Sequence, residues 1–221
     1  RPADQSGQPA LSPEALVAGV HDNLRNLGLA ALDIVNYRRM GSGHGPAEGS
    51  IAGQVTVLAD LQRQGLIRHI GLSNVTATQL IEAQAITSIV CVQNHYNLVY
   101  REEEREMNPL CREEGIGLIP WSPLARGFLA GNRRKEDFGE TVRAKTDDYA
   151  QKLYYQPSDF SVGERRSEIA KRRGIPNTQV ALSWILSRPG VTAPIVGASK
   201  MQQLEEAVGA LDVQLDDAEI H

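Results

Sequence analysis

Cysteine is scarce in this chain: 221 residues contain two, Cys91 and Cys111. One lies in an apolar run and the other in a charged helical one, with no CxxC or Cys/His spacing around either. That excludes a disulfide framework and a cysteine-based zinc centre, and predicts a reduced, cytoplasmic protein with no metal. No run of about 18 apolar residues exists, which excludes a membrane-spanning helix. The opening "RPADQSGQPA" has neither a basic nor an apolar segment of the kind a targeting signal needs. An initiating Met is also lacking, so the chain is expected to begin partway through a longer gene product or to have been cut. Charge of one sign is not in excess either. Lys and Arg number 23 against 27 Asp and Glu, for a net charge of -4 spread along the chain. No basic stripe could follow a phosphate backbone, so neither nucleic acid nor a membrane is expected as a partner.

What is present is alternation. "LSPEALVAGVHDNLRNLGL" places Ser12 as an N-cap and Pro13 at the first helical position. Leu16, Val20, Leu24 and Leu27 recur on one face, and Gly28 stops the helix. Apolar strand runs then alternate with helices: "LDIVNY", a helix over 50–64, "IRHIGLS", a helix in "TATQLIEAQAI", "IVCVQN", a charged helix in "REEEREMNPLCREEG", and "IGLIPWSPL". A polar stretch of poor periodicity over 132–159 follows, too long for an ordinary connection and expected to be a loop or lid. Helices near 161–173 and 177–188, the run "APIVGAS" and a helix over 201–211 complete the chain.

Continuous apolar strands separated by helices belong to a parallel sheet in an α/β protein. Five strand candidates carry Ile34, Ile70, Val92, Ile119 and Ile195. Five strands are too few to close a (β/α)₈ barrel. Either further strands lie upstream of residue 1, or the sheet is open and doubly wound.

The carboxyl ends of parallel strands form the functional face in both arrangements. Here they carry Ser73 and Asn74, Gln93 and Asn94, Trp121 and Ser122, and Gly197 and Ser199. Amides, hydroxyls and a flat indole suit a planar ring bearing a carboxamide. For Ser73 alone, capping of the following helix is the competing role. "SPLARGFLAG" sets Pro123, Gly127 and Gly131 around Arg126, so that backbone amides could approach an anion, and "GASKMQQLEEAVGA" opens a helix with Ser199 and Lys200, where negative charge is favoured.

"HIGLSNV", "VQNHYNLVYREEEREM", "IPWSPLARGFLAG", "TQVALSWILSRPGV" and "PIVGASKMQQLEEAVGAL" together resemble the aldo-keto reductases, from nearly end to end of the chain. The resemblance implies a TIM (β/α)₈ barrel, one domain over 1–221. About five βα units are expected here, with the N-terminal units missing. It implies reduction of aldehydes or ketones to alcohols with NADPH, NAD being the second candidate. Residue by residue, Ser73, Asn74 and Gln93 match the positions that hold the carboxamide, and Trp121 the aromatic that stacks on the nicotinamide. Ser122, Pro123, Leu124 and Arg126 match the segment round the pyrophosphate. Gly197, Ser199, Lys200 and Gln203 match the grip on the adenosine 2′-phosphate, and Glu206 the adenine contact.

Three departures stand out. Many relatives have Arg at Gln203 and Asn at Ala207, which leaves the preference for NADP resting on Lys200. The family's catalytic His falls on Arg38, a candidate for an anionic substrate group or for an ion-paired barrel residue. The family's catalytic Asp, Tyr and Lys belong to its first three strands, and the resemblance implies that this chain begins just after the third. Tyr37, beside Arg38, reads as strand packing, with a substitute acid as the lesser alternative, and Tyr149, Tyr154 and Tyr155 read as solvated or lid residues. His44 and His95 read as polar loop surface on the functional face, and His69 as structural. Two other functions remain open: a non-catalytic nicotinamide-binding or interaction module, and a phosphate-binding lyase or isomerase barrel. Unpaired strand edges predict a homo-oligomer, and the partner expected at the site is a small carbonyl compound.

Overall fold

The computed structural model describes residues 11–38, 50–131, 150 and 153–220. The chain divides into two compact units, residues 1–94 with 106–118, and residues 95–105 with 119–221.

The first unit holds the sheet. Helix α1 (Pro13–Leu27) starts where the Ser12 side chain accepts from the Ala15 amide and stops at Gly28 in the left-handed region. Leu16, Val20 and Leu24 are buried as the spacing predicts; Leu27 is exposed, because it falls in the last turn beside that stop. Strand β1 (Leu32–Tyr37), helix α2 (Ile51–Arg63), strand β2 (Ile67–Ser73), helix α3 (Ala77–Gln84) and strand β3 (Ile89–Gln93) follow in turn. Ser50 caps α2 through the Gly53 amide, and Gly65, with φ of 77°, turns the chain into β2. After α4 (Met107–Glu113) comes the short strand β4 (Gly117–Leu118). All pairs are parallel and the order is β1-β2-β3-β4.

Strand β2 is paired on both sides, and Ile67, Ile70 and Leu72 are fully buried. Each such side chain contributes about 1.5–3 kcal/mol of transfer free energy. Gly71 is required by close approach: a Cβ there would lie 2.1 Å from Asn36 Oδ1 and 2.6 Å from Cys91 Sγ. Cys91 and Cys111 are buried in separate places and not joined to each other, and burial raises the Cys91 thiol pKa.

The second unit is helical: α5 (Pro157–Arg173), α6 (Asn177–Leu186), α7 (Met201–Gly209) and α8 (Asp217–Ile220), with 3₁₀ turns at Glu102–Glu104, Ala125–Ala130 and Ala210–Asp212. Its apolar clusters centre on Phe128, Leu129 and Tyr154, on Tyr96 and Trp184, and on Ile169 and Val180. The guanidinium groups of Arg101 and Arg188 both lie over the Trp184 ring, 5.1 and 4.9 Å from its centroid. Glu219 of α8 is clasped by Arg172 and Arg173, both at 2.5 Å.

Several sequence expectations change here. Among the described residues the sheet has four strands, not five. The run around Ile195 makes one backbone bond, from the Ile195 amide to the Pro120 carbonyl at 2.8 Å, and Ile195 and Val196 are exposed. One bond does not make a ladder, so β-propensity alone leaves this run irregular. Ile119 lies just past β4. The charged stretch from Arg101 is not one helix. A 3₁₀ turn and α4 are separated at Glu106, whose φ and ψ of -136° and -52° are not helical. Helix α5 begins at Pro157, four residues before the expected start, because Gln156 and Asp159 form a reciprocal capping box there. Of the polar stretch, 132–149 and 151–152 lie outside the described residues, as do the glycine loop, His44 and Tyr149. No helix among the described residues is long and apolar enough to cross a membrane.

Candidate functional site

In the first unit the ends of β2 and β3 meet at Ser73 and Gln93. Ser73 is buried and its hydroxyl donates to the Gln93 carbonyl at 2.9 Å, with the Gln93 side-chain oxygen at 3.4 Å. It does not cap α3. Thr76 does that, accepting from the Gln79 amide while Gln79 Oε1 accepts from the Thr76 amide. Asn74 sits at φ 56°, a left-handed conformation that non-glycine residues adopt at a cost, and its amide reaches the Gln93 carbonyl at 3.3 Å. Asn94 pins the same corner by accepting from the Val75 amide and donating to the Val75 carbonyl.

Arg38 follows β1 directly and is exposed. Tyr37 is not a spare acid: it is buried, and its hydroxyl donates to Gln54 Oε1 at 2.6 Å, away from solvent. His69 is exposed on β2 rather than packed.

In the second unit the centre is aromatic. His95 and Trp121 form an isolated parallel bridge, and their rings stack 4.3 Å apart at 16°. The other stacking neighbour of His95 is Tyr100, at 4.1 Å and 22°. Its Nε2 lies 2.5 Å from the Tyr154 hydroxyl and 3.2 Å from Asn97 Nδ2. His95 is 2% exposed and not loop surface; burial, and then the Arg126 charge, lower its pKa to about 3, so the ring is neutral. Tyr154 is 1% exposed and not solvated. Tyr155 packs edge-on to Phe128. Asn97 is fully buried, accepts from the Val99 and Tyr100 amides and donates to the Ser122 carbonyl at 2.9 Å.

The segment expected to approach an anion is tightly wound. Ser122, Ala125 and Arg126 have φ of 54°, 48° and 54°, and Gly127 and Gly131 have 95° and 90°. The amides of Ala125, Gly127, Leu129 and Gly131 bond inside the segment, which leaves fewer than expected for a ligand. Pro123 is buried and Leu124 packs against the Phe128 cluster. The base of the segment is held by Arg166, buried, which donates to the Phe128 carbonyl and to Asn177 Oδ1; burial lowers its pKa to about 10.

Gly197, Ser199, Lys200 and Gln203 are all exposed, and Glu206 partly so. Lys200 is the N-cap of α7 and has no ion pair among the described residues. Gln203 turns back, its Oε1 accepting from the Ser199 amide at 2.8 Å and the Ser199 hydroxyl at 3.2 Å. Glu206 accepts from Gln202 at 3.0 Å. Among the described residues no group of three His, Cys, Asp or Glu could hold a metal.

Sequence profiles and relatives decide the family. The profile described as "Aldo/keto reductase family" matches residues 2–221. The chain belongs to the aldo/keto reductase family. Among its relatives is pyridoxine 4-dehydrogenase of Escherichia coli, 42% identical over 218 residues, which cover 98% of this chain and 65% of that protein. The aldo-keto reductase dtxS3 of Metarhizium robertsii is 37% identical, with 96% of this chain and 57% of that protein covered. A putative aryl-alcohol dehydrogenase of Schizosaccharomyces pombe is 35% identical, with shares of 97% and 60%. The chain therefore spans less than two thirds of the length of these relatives. Among solved structures, a thermostable aldo-keto reductase in complex with the inhibitor epalrestat superposes with a TM-score of 0.71 at 25% identity, covering 95% of this chain and 65% of that one. The α/β architecture and parallel sheet are thus those of an aldo-keto reductase of the TIM-barrel type.

From its position alone His95 is expected as polar surface on the functional face, and Asn97 does not stand out. A signal existed: Gln93, His95 and Asn97 recur with the period of two that puts alternate residues on one side of an extended chain.

Proposed function

We propose that this chain is the cofactor-binding portion of an NADPH-dependent carbonyl reductase whose barrel is completed by strands outside it. Ser73, Asn74 and Gln93 take the carboxamide and Trp121 the nicotinamide face. Ser122, Pro123, Leu124 and Arg126 take the pyrophosphate, Gly197, Ser199, Lys200 and Gln203 the 2′-phosphate, and Glu206 the adenine. The observation that carries the reading is the strand-end chemistry. Ser73 is released from capping by Thr76, and Gln93 keeps its side-chain amide hydrogens without a partner among the described residues, so one donor-acceptor pair is left for an amide ligand. Lys200 at a helix start, with no ion pair among the described residues, suits a phosphate.

The bound cofactor supplies hydride. The residues of this chain orient it and exclude water; neither Tyr37 nor Tyr154 is free to protonate the carbonyl oxygen, both being buried and bonded elsewhere. The substrate is a small aldehyde or ketone, the setting is cytoplasmic, and copies associate through exposed strand edges.

A second reading, a non-catalytic nicotinamide-binding module, is favoured by the exposed Arg38 where the family has its catalytic His. Titration with NADPH tests both. Quenching of tryptophan fluorescence that Trp121→Ala abolishes supports a nicotinamide site, and its absence in the full-length protein rejects the proposal. Aldehyde reduction by the full-length protein separates the reductase from the binding module.

A further inference from the structure

His95 is buried among aromatic rings, yet one of its nitrogens, Nδ1, has no hydrogen-bond partner among the described residues. A phenylalanine could stack in its place but offers no nitrogen to the polar groups around it, so the imidazole brings something that stacking alone does not. That something is Nε2. Two groups able to donate face it, the Tyr154 hydroxyl at 2.5 Å and Asn97 Nδ2 at 3.2 Å. The orientation of the Asn97 amide is fixed by the bonds at its two ends, because its oxygen accepts from the Val99 and Tyr100 amides and its nitrogen donates to the Ser122 carbonyl. Nδ2 can therefore only donate here. It also lies 3.1 Å from the Tyr154 oxygen, which can accept from Asn97 while donating its own hydrogen to His95. Nε2 is then the acceptor nitrogen and the ring proton sits on Nδ1.

A ring held at one nitrogen cannot rotate about its Cβ–Cγ bond without breaking that bond. Its plane is thereby set, and so is the plane of whatever stacks upon it. On one side that is Tyr100, whose amide is tied to Asn97; on the other it is Trp121.

We propose that His95 is the positioning residue of Trp121: protonated on Nδ1, held at Nε2 by Tyr154 and Asn97, it fixes the tilt of the indole on which a nicotinamide rests. The last clause rests on the function proposed above; the tautomer and the fixed indole do not.

The test has two arms on the folded protein. In the first, nitrogen–proton correlation spectra of the histidine side chains read the tautomer without any cofactor. The expected result is an Nδ1-protonated His95 that becomes a mixture in Tyr154→Phe; a proton on Nε2 in the parent protein overturns the proposal. In the second arm, NADPH affinity is read by tryptophan quenching. His95→Ala is expected to weaken binding roughly two- to tenfold, the range of an aromatic pair, with His95→Phe, which stacks but cannot be held at Nε2, recovering only part of the loss. Equal affinity in His95→Ala and the parent overturns the proposal. If His95→Ala does not fold, Tyr154→Phe keeps the test: it must weaken NADPH binding while the variant still melts cooperatively. A parent protein that takes up no NADPH sinks the nicotinamide reading alone. The near-ultraviolet dichroism of Trp121 then decides, and a spectrum unaltered in His95→Ala or Tyr154→Phe refutes the fixed indole.

Discussion

Two runs of similar composition end differently in this molecule. "IRHIGLS" forms β2, bonded to a neighbour on each side, with Ile70 wholly buried. "APIVGAS" contains Ile195 and Val196 but forms one backbone bond and leaves Ile195 42% exposed. The difference lies in partners, not in propensity. A strand is stabilised by ladders and by burial of its faces, and β-branched side chains add to that only once both exist.

The largest contrast is expected from volume. Ile70→Ala should cost about 2–5 kcal/mol in chemical denaturation, whereas Ile195→Ala should stay within about 0.5 kcal/mol. A large loss at Ile195 would mean that the run is packed in solution, as it would be beside an added strand. A smaller contrast comes from adding a methyl group. Gly71→Ala places a Cβ against Asn36 and Cys91 and is expected to cost about 1–3 kcal/mol, while Gly197→Ala meets nothing within 4 Å and should be near neutral. Thermal melts of the two variants side by side decide it.

The smallest effect concerns charge at the buried end of the sequence that continues β3. The folded state keeps His95 neutral to about pH 3, while the unfolded chain takes up a proton below about pH 6.5. Protons therefore favour unfolding, and stability present above pH 6.5 is lost as the pH falls toward 3. Between pH 6.5 and 5.5 the expected loss is about 1 kcal/mol. His95→Phe should flatten this part of the curve of denaturation midpoint against pH. An unchanged slope would show that His95 is not the group responsible.

Much of this was legible in the sequence. Ser12, Pro13 and Gly28 mark the two ends of α1, and Thr76 with Gln79 is a capping box written in four letters. Apolar runs at Ile67–Ser73 and Ile89–Gln93 are strands, and their polar ends come together as Ser73 and Gln93. The rest depends on distant partners. Tyr154 and His95 are 59 residues apart, and no periodicity links them. The break at Glu106 is invisible to composition, because Arg101 to Arg105 has good helix formers throughout. The run at Ile195 misled for the converse reason: its residues favour a strand and its surroundings do not provide one.

Thr76, by starting α3 without help from Ser73, separates two tasks that one residue three positions earlier could have shared. Chemistry at the tip of β2 is thereby uncoupled from architecture behind it. A lineage could trade the serine hydroxyl for another recognition group and sample new ligands while the helix that follows stays wound.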